Sequence, residues 1–183
     1  MIVVNFKTYG QAQGEKATDI AEKCRKASEE TGEKVIVSPA LEDILRLEDK
    51  DIEVFSQHVD PVKPGSHTGS VTASGAKEAG VSGTLLNHSE NRMEKEEIRK
   101  SIEICREHGL TTIVCAQTPE ECAELDKLDP DYIAFEPPEL IGGDVSVSSA
   151  KPEMIRKAVE SSEAPTLTGA GIKNLEDVEK SIE

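Results

Sequence analysis

Four polar residues, Asn5, Lys7, His88 and Glu136, each stand at or just beyond the end of a short apolar run, and their types together suit proton transfer on an anionic substrate. Glu136 closes the run Asp131-Tyr-Ile-Ala-Phe and precedes Pro137-Pro138, which cannot extend a sheet ladder, and then Leu-Ile-Gly-Gly. A carboxylate at a strand end under an apolar, glycine-hinged loop is what a water-excluding general base needs. His88 follows Thr-Leu-Leu-Asn and precedes Ser-Glu-Asn-Arg, where a strand gives way to a helical turn. The positive end of such a turn disfavours imidazolium and leaves a neutral ring able to donate to a developing oxyanion. Lys7 offers a fixed positive charge for an anionic substrate, and strand alternation puts Asn5, two residues earlier, on its side. Gly142-Gly143 and Gly169-Ala170-Gly171 could bring backbone N–H groups close to a phosphate. Each residue also has a plain structural reading: a surface carboxylate, a satisfied histidine, a solvated lysine.

The elements that must position these groups alternate along the whole chain. Strands are expected at Ile2–Phe6, Lys34–Ser38, Ile52–Gln57, Gly83–Asn87, Thr111–Gln117, Asp131–Phe135 and Pro165–Thr168. Helices are expected at Gly14–Glu30, closed by Gly32, then at Leu41–Leu47, Thr72–Ala79, Glu94–His108, Pro119–Leu125, Pro152–Ser161 and Leu175–Ile182. A long polar loop, His58–Ser70, follows the third strand. With no break in composition, residues 1–183 read as a single domain. Regular strand–helix alternation means a parallel α/β sheet, open or closed into a barrel. The polar signals gather at strand C-termini, which share one face in a barrel, so the barrel is favoured. No G-x-G-x-x-G follows the first strand and no Walker pattern occurs, which argues against a dinucleotide or nucleotide site.

Composition removes other classes. With 36 acidic against 21 basic residues the net charge is −15, which lacks the basic footprint of nucleic-acid binding or of docking to an anionic membrane. Such acidity, with 3% aromatic residues, suits high salt as well as an ordinary acidic enzyme. Cys24, Cys105, Cys115 and Cys122 form no C-x-x-C pair and have no histidines at zinc-ligand spacing, so reduced structural thiols and no metal are expected. Neither a signal peptide nor a membrane span is read, which implies a cytoplasmic protein.

The motifs, taken in order, resemble triosephosphate isomerases and in particular their archaeal branch. N-F-K at 5–7 resembles the family's N-x-K, and L-N-H-S-E at 86–90 resembles the segment around its catalytic histidine. F-E-P-P-E-L-I-G at 135–142 matches the archaeal catalytic glutamate and lid. H-T-G-S at 67–70 resembles the third loop, which reaches into a neighbouring subunit, and G-A-G-I at 169–172 resembles the phosphate-binding turn.

The resemblance implies a TIM-type (β/α) barrel that interconverts dihydroxyacetone phosphate and glyceraldehyde 3-phosphate through an enediolate. Glu136 would be the base, His88 the electrophile, and Lys7, aided by Asn5, the stabiliser of the enediolate and phosphate. Ile141, Gly142, Gly169, Ala170 and Gly171 would hold the phosphate, with Glu90 and Asn87 behind the catalytic residues. No metal or organic cofactor is implied, and a homo-oligomer, a dimer or tetramer, is.

Two departures stand out. The lid reads Ile141-Gly-Gly-Asp144 where the family commonly has I-G-T-G, which brings a carboxylate near the phosphate. The sequence also has about seven βα units where the family has eight, so oligomerisation through the exposed edges and the His58–Ser70 loop is expected. The alternative reading is a weak or inactive remnant of the fold stabilised by assembly. Another phosphate-handling barrel isomerase is a third, which would not require both H-S-E and E-P-P-E-L-I-G.

Overall fold

The computed structural model describes residues 1–140, 152–172 and 174–182. Seven strands alternate with helices, and their order in the sheet is their order in the chain, β1 to β7. This is the expected α/β class, with the seven βα units of a TIM-type architecture. The chain divides into two compact units, Met1–Leu85 with Glu103–Thr111, and Leu86–Ile102 with Thr112–Glu183.

In the first unit β1 (Ile2–Asn5) runs parallel to β2 (Val35–Ser38), with Ile2 opposite Val35 and Asn5 opposite Ser38. β2 pairs in parallel with β3 (Glu53–Ser56), and β3 with β4 (Gly83–Leu86) through Phe55 opposite Gly83. Every residue of β2 and β4 is buried, as strands covered on both faces require. Phe55 is 1% exposed and lies over Gly83, where a Cβ would meet its ring at 2.3 Å. Only glycine fits there.

Helix α1 (Glu15–Thr31) sets Ala17, Ile20, Ala21 and Cys24 on one stripe against this core. It ends where Gly32 takes φ 73°, in the left-handed region, and donates its N–H to the Ser28 carbonyl. Thr72 caps α2 (Ala73–Glu78) by accepting from the Gly75 N–H at 3.2 Å. The polar loop between β3 and α2 is pinched at its neck. There the Asp60 N–H donates to the Val71 carbonyl, and Val71 N–H donates to Asp60 Oδ2 at 2.7 Å.

The second unit carries β5 (Thr111–Ala116), β6 (Tyr132–Phe135) and β7 (Thr166–Thr168), with Ala116 opposite Phe135 and Phe135 opposite Thr168. Helix α3 (Lys95–Glu107) gives Ile98 and Ile102 to this unit's core and Ile104 and Cys105 to the first. Helix α4 (Pro119–Asp126) begins with Pro119 behind a Thr118 side-chain cap. Helices α5 (Pro152–Glu160) and α6 (Leu175–Ile182) complete the unit. Leu86, Val114, Ile133, Phe135 and Ala158 are fully buried at its centre.

The expected elements are present, with edges shifted by a residue or so and two differences of kind. Leu41–Leu47 is 3₁₀ rather than α, and short 3₁₀ turns form at Gly10–Ala12 and Pro138–Leu140. All four cysteines are free thiols.

Candidate active site

Glu136 leaves β6 one residue past its end, still anchored, because its N–H donates to the Ala116 carbonyl at 2.9 Å. Its side chain is 22% exposed, and Oε2 stands 3.6 Å from His88 Nε2. Cys115, on the neighbouring β5, has a buried thiol. Burial, and then the charge of Glu136, push that thiol well above the ordinary range. Gly169 lies against Glu136, and its N–H is spent on the Phe135 carbonyl at 3.1 Å. A Cβ at Gly169 would meet Glu136 Oε1 at 2.8 Å and Cγ at 3.2 Å. Since Gly169 does not take a positive φ, glycine is required there for space rather than for conformation.

His88 is 9% exposed and is presented by a turn built on Asn87. Asn87 takes φ 60°, which asparagine tolerates better than most residues. Its Nδ2 donates to the Cys115 carbonyl at 2.9 Å, and its Oδ1 accepts from the Met93 N–H at 3.0 Å. Arg92, ion-paired with Glu121, donates to the Asn87 carbonyl. After His88 the chain makes a single hydrogen-bonded turn, in which the Asn91 N–H donates to the His88 carbonyl at 2.8 Å, and α3 begins only at Lys95. Within that turn the Glu90 N–H donates to His88 Nδ1 at 3.1 Å. An Nδ1 that accepts cannot also carry a proton, so the neutral ring bears its hydrogen on Nε2, the nitrogen facing Glu136. The Glu90 carboxylate approaches Nδ1 only to 3.7 Å, beyond hydrogen-bond range, and is mostly exposed, so the N–H governs the tautomer.

Past β7 the backbone turns into an unfavoured region, with Ala170 at φ 91° and Gly171 at φ 69°. A non-glycine residue held there costs of order 1–3 kcal/mol and is characteristic of functional turns. Thr168, just before them, buries its hydroxyl without a hydrogen-bond partner among the described residues. Ile141 and Gly142, and with them Asp144, lie outside the described residues.

In the first unit Asn5 ends β1 and Lys7 follows at φ 49°. Strand alternation therefore stops before Lys7 and does not set its direction. Instead, Asn5 Oδ1 accepts the Lys7 N–H at 2.9 Å, so the asparagine shapes the backbone that presents the lysine.

The structure thus gathers Glu136, His88, Gly169, Asn87 and the Glu90 backbone in the second unit, and Asn5 with Lys7 in the first. Cys115 and Gly169's steric role escaped sequence reasoning; the only signal for either was position at a strand end. Among the described residues, no group of three or more His, Cys, Asp or Glu could hold a metal ion.

A carboxylate facing an imidazole Nε2–H, carried on parallel βα units, places the chain among (β/α) proteins equipped for acid–base chemistry. The pattern of the triosephosphate isomerase family matches residues 1–183. A triosephosphate isomerase of Methanothermus fervidus is 45% identical over 189 residues, covering 100% of this chain and 85% of that protein. Those of Methanosarcina acetivorans and Methanocaldococcus jannaschii are 43% and 41% identical, covering 100% of this chain and 85% and 86% of theirs. The chain belongs to the triosephosphate isomerase family.

Proposed function

We propose that the protein interconverts dihydroxyacetone phosphate and glyceraldehyde 3-phosphate, with Glu136 as base and His88 as electrophile. The observation that carries this reading is the 3.6 Å approach of His88 Nε2 to Glu136 Oε2, with Nδ1 held as an acceptor. Glu136 takes a carbon-bound proton next to the substrate carbonyl while His88 Nε2–H donates to the carbonyl oxygen. His88 then moves the hydroxyl proton from one enediolate oxygen to the other while Glu136 returns a proton to the neighbouring carbon, which exchanges ketone and aldehyde. Lys7, aided by Asn5, supplies positive charge to the enediolate and phosphate. Ala170 and Gly171, with Gly169 behind them and Ile141 and Gly142 of the lid, hold the phosphate through backbone groups. His88 is nearly buried and Glu136 partly so, which limits water and strengthens these interactions.

The same reading takes residues 1–183 as one catalytic domain, working in the cytoplasm as a homo-oligomer with the His58–Ser70 loop at an interface. Among the described residues no helix is long and apolar enough to cross a membrane. Nothing found favours the inactive-remnant alternative.

Steady-state isomerisation of glyceraldehyde 3-phosphate tests the proposal, with Glu136→Gln beside the wild type. Loss of the base is expected to lower kcat by roughly 10²- to 10⁴-fold. A folded wild type no faster than the variant would overturn the reading.

A further inference from the structure

Lys7 sits in the left-handed region, which a lysine does not favour, so its surroundings must hold it there. One restraint is local: Asn5 Oδ1 takes the Lys7 N–H. The other comes from fifty residues along the chain, where the half-buried Gln57 donates Nε2–H to the Lys7 carbonyl at 2.9 Å. The same amide nitrogen donates its second hydrogen to the Ser38 carbonyl at 3.1 Å. Both acceptors are carbonyl oxygens, so the orientation of the Gln57 amide is unambiguous: its NH₂ must face them. The Ser38 carbonyl also accepts from the Phe6 N–H at 2.9 Å, and Phe6 is buried. Residues 5 to 7 are thereby held by Asn5 at the Lys7 N–H, by Ser38 at Phe6 and by Gln57 at the Lys7 carbonyl.

We propose that Gln57 is a positioning residue that holds Lys7 in its left-handed conformation and so aims the ammonium at the substrate phosphate. The inference rests on the role given to Lys7 above. Without the Gln57 donor, the Lys7 carbonyl loses a bond that opposes relaxation to negative φ. Such a relaxation turns the backbone by about 110° and swings the side chain away from its present direction. Gln57 touches no reacting atom and acts only through Lys7.

The test is Gln57→Met, which keeps length and volume but removes both donors, made in the wild-type and Lys7→Met backgrounds. Gln57→Asn, which keeps the amide but cannot span both carbonyls, serves if the methionine variant fails to fold. In the wild-type background kcat/KM is expected to fall roughly 10- to 100-fold, as for a misplaced positioning group. Affinity for 2-phosphoglycolate, read by calorimetry, is expected to fall with it. In the Lys7→Met background neither should change further. Equal losses in both backgrounds would make Gln57 merely structural, and no loss in the wild-type background would remove its role altogether. A crystal structure of the variant with Lys7 still at positive φ would overturn the inference whatever the kinetics. An inactive wild type would instead count against the isomerase reading, and the Lys7 conformation in that crystal structure would still decide the role of Gln57.

Discussion

The two ends of the strands in the second unit obey different rules. At the N-terminal ends the polar groups are satisfied and compact: Asp131 Oδ2 accepts from the Thr112 N–H at 2.8 Å and from its hydroxyl at 2.9 Å. The Asp131 N–H returns a bond to Thr112 Oγ1, and Asp126 accepts from the N–H groups of Glu163 and Ala164. At the C-terminal ends a carboxylate and an imidazole face each other at 3.6 Å without closing to a hydrogen bond, and backbones are strained. Of the four non-glycine residues at positive φ among the described residues, Lys7, Asn87 and Ala170 follow strand ends, and Asp129 lies elsewhere. Strain and open polar contact concentrate where chemistry is proposed, and hydrogen-bond completeness is found where it is not. One end of the sheet stabilises the fold, and the other spends stability on a site.

Two substitutions in the same unit should separate these roles. Gly169→Ala pushes a methyl against the movable end of Glu136, which can yield by displacing its carboxylate. The expected result is a kcat lower by roughly 10- to 100-fold with an almost unchanged melting temperature. A variant with normal kcat would break the comparison at its active end. Asp131→Ala should behave in the opposite way, leaving the buried Thr112 N–H without its acceptor and costing about 1–3 kcal/mol. Urea titration would register that loss while kcat/KM stays put. A kinetic defect at constant stability would show that the N-terminal ends are not purely structural.

A smaller effect sharpens the picture through pH. Burial, then the charge of Glu121, push the Cys122 thiol up to about 12 from an ordinary 9.0. Cys115 is raised as well, by burial and then by Glu136. A thiol that keeps its proton in the folded state while the unfolded chain has released it stabilises the fold fully below the ordinary value. That contribution is lost as pH rises from about 9 toward 12. Urea midpoints should therefore fall from pH 9 upward, by at most about 1.4 kcal/mol per pH unit per thiol, and less steeply in Cys122→Ala. A flat profile would mean that burial of these thiols does not govern their ionisation.

Much of this was legible in the sequence because it is written in local rules. Gly32, Gly80 and Gly109 all take positive φ just past helices, as their positions predict, and Thr118-Pro119 opens a helix as expected. Glu136 and His88 could be singled out because each follows an apolar strand. What escaped notice depends on residues distant in sequence. The left-handed Lys7 could not be foreseen, since one of the bonds that hold it comes from Gln57, fifty residues away. The glycine at 169 looks like a turn residue until Glu136 is placed against it. The turn expected after His88 is present, but that it aims the Glu90 N–H at Nδ1 depends on Asn87, Arg92 and Met93, whose hydrogen bonds shape it.

The central claim is that Glu136 removes a carbon-bound proton from a triose phosphate, and isomerisation in D₂O examines that step directly. Starting from dihydroxyacetone phosphate, the account predicts that glyceraldehyde 3-phosphate carries solvent deuterium at carbon 2. Glu136→Gln should lose both the exchange and the turnover. Exchange or turnover that survives in Glu136→Gln would contradict it.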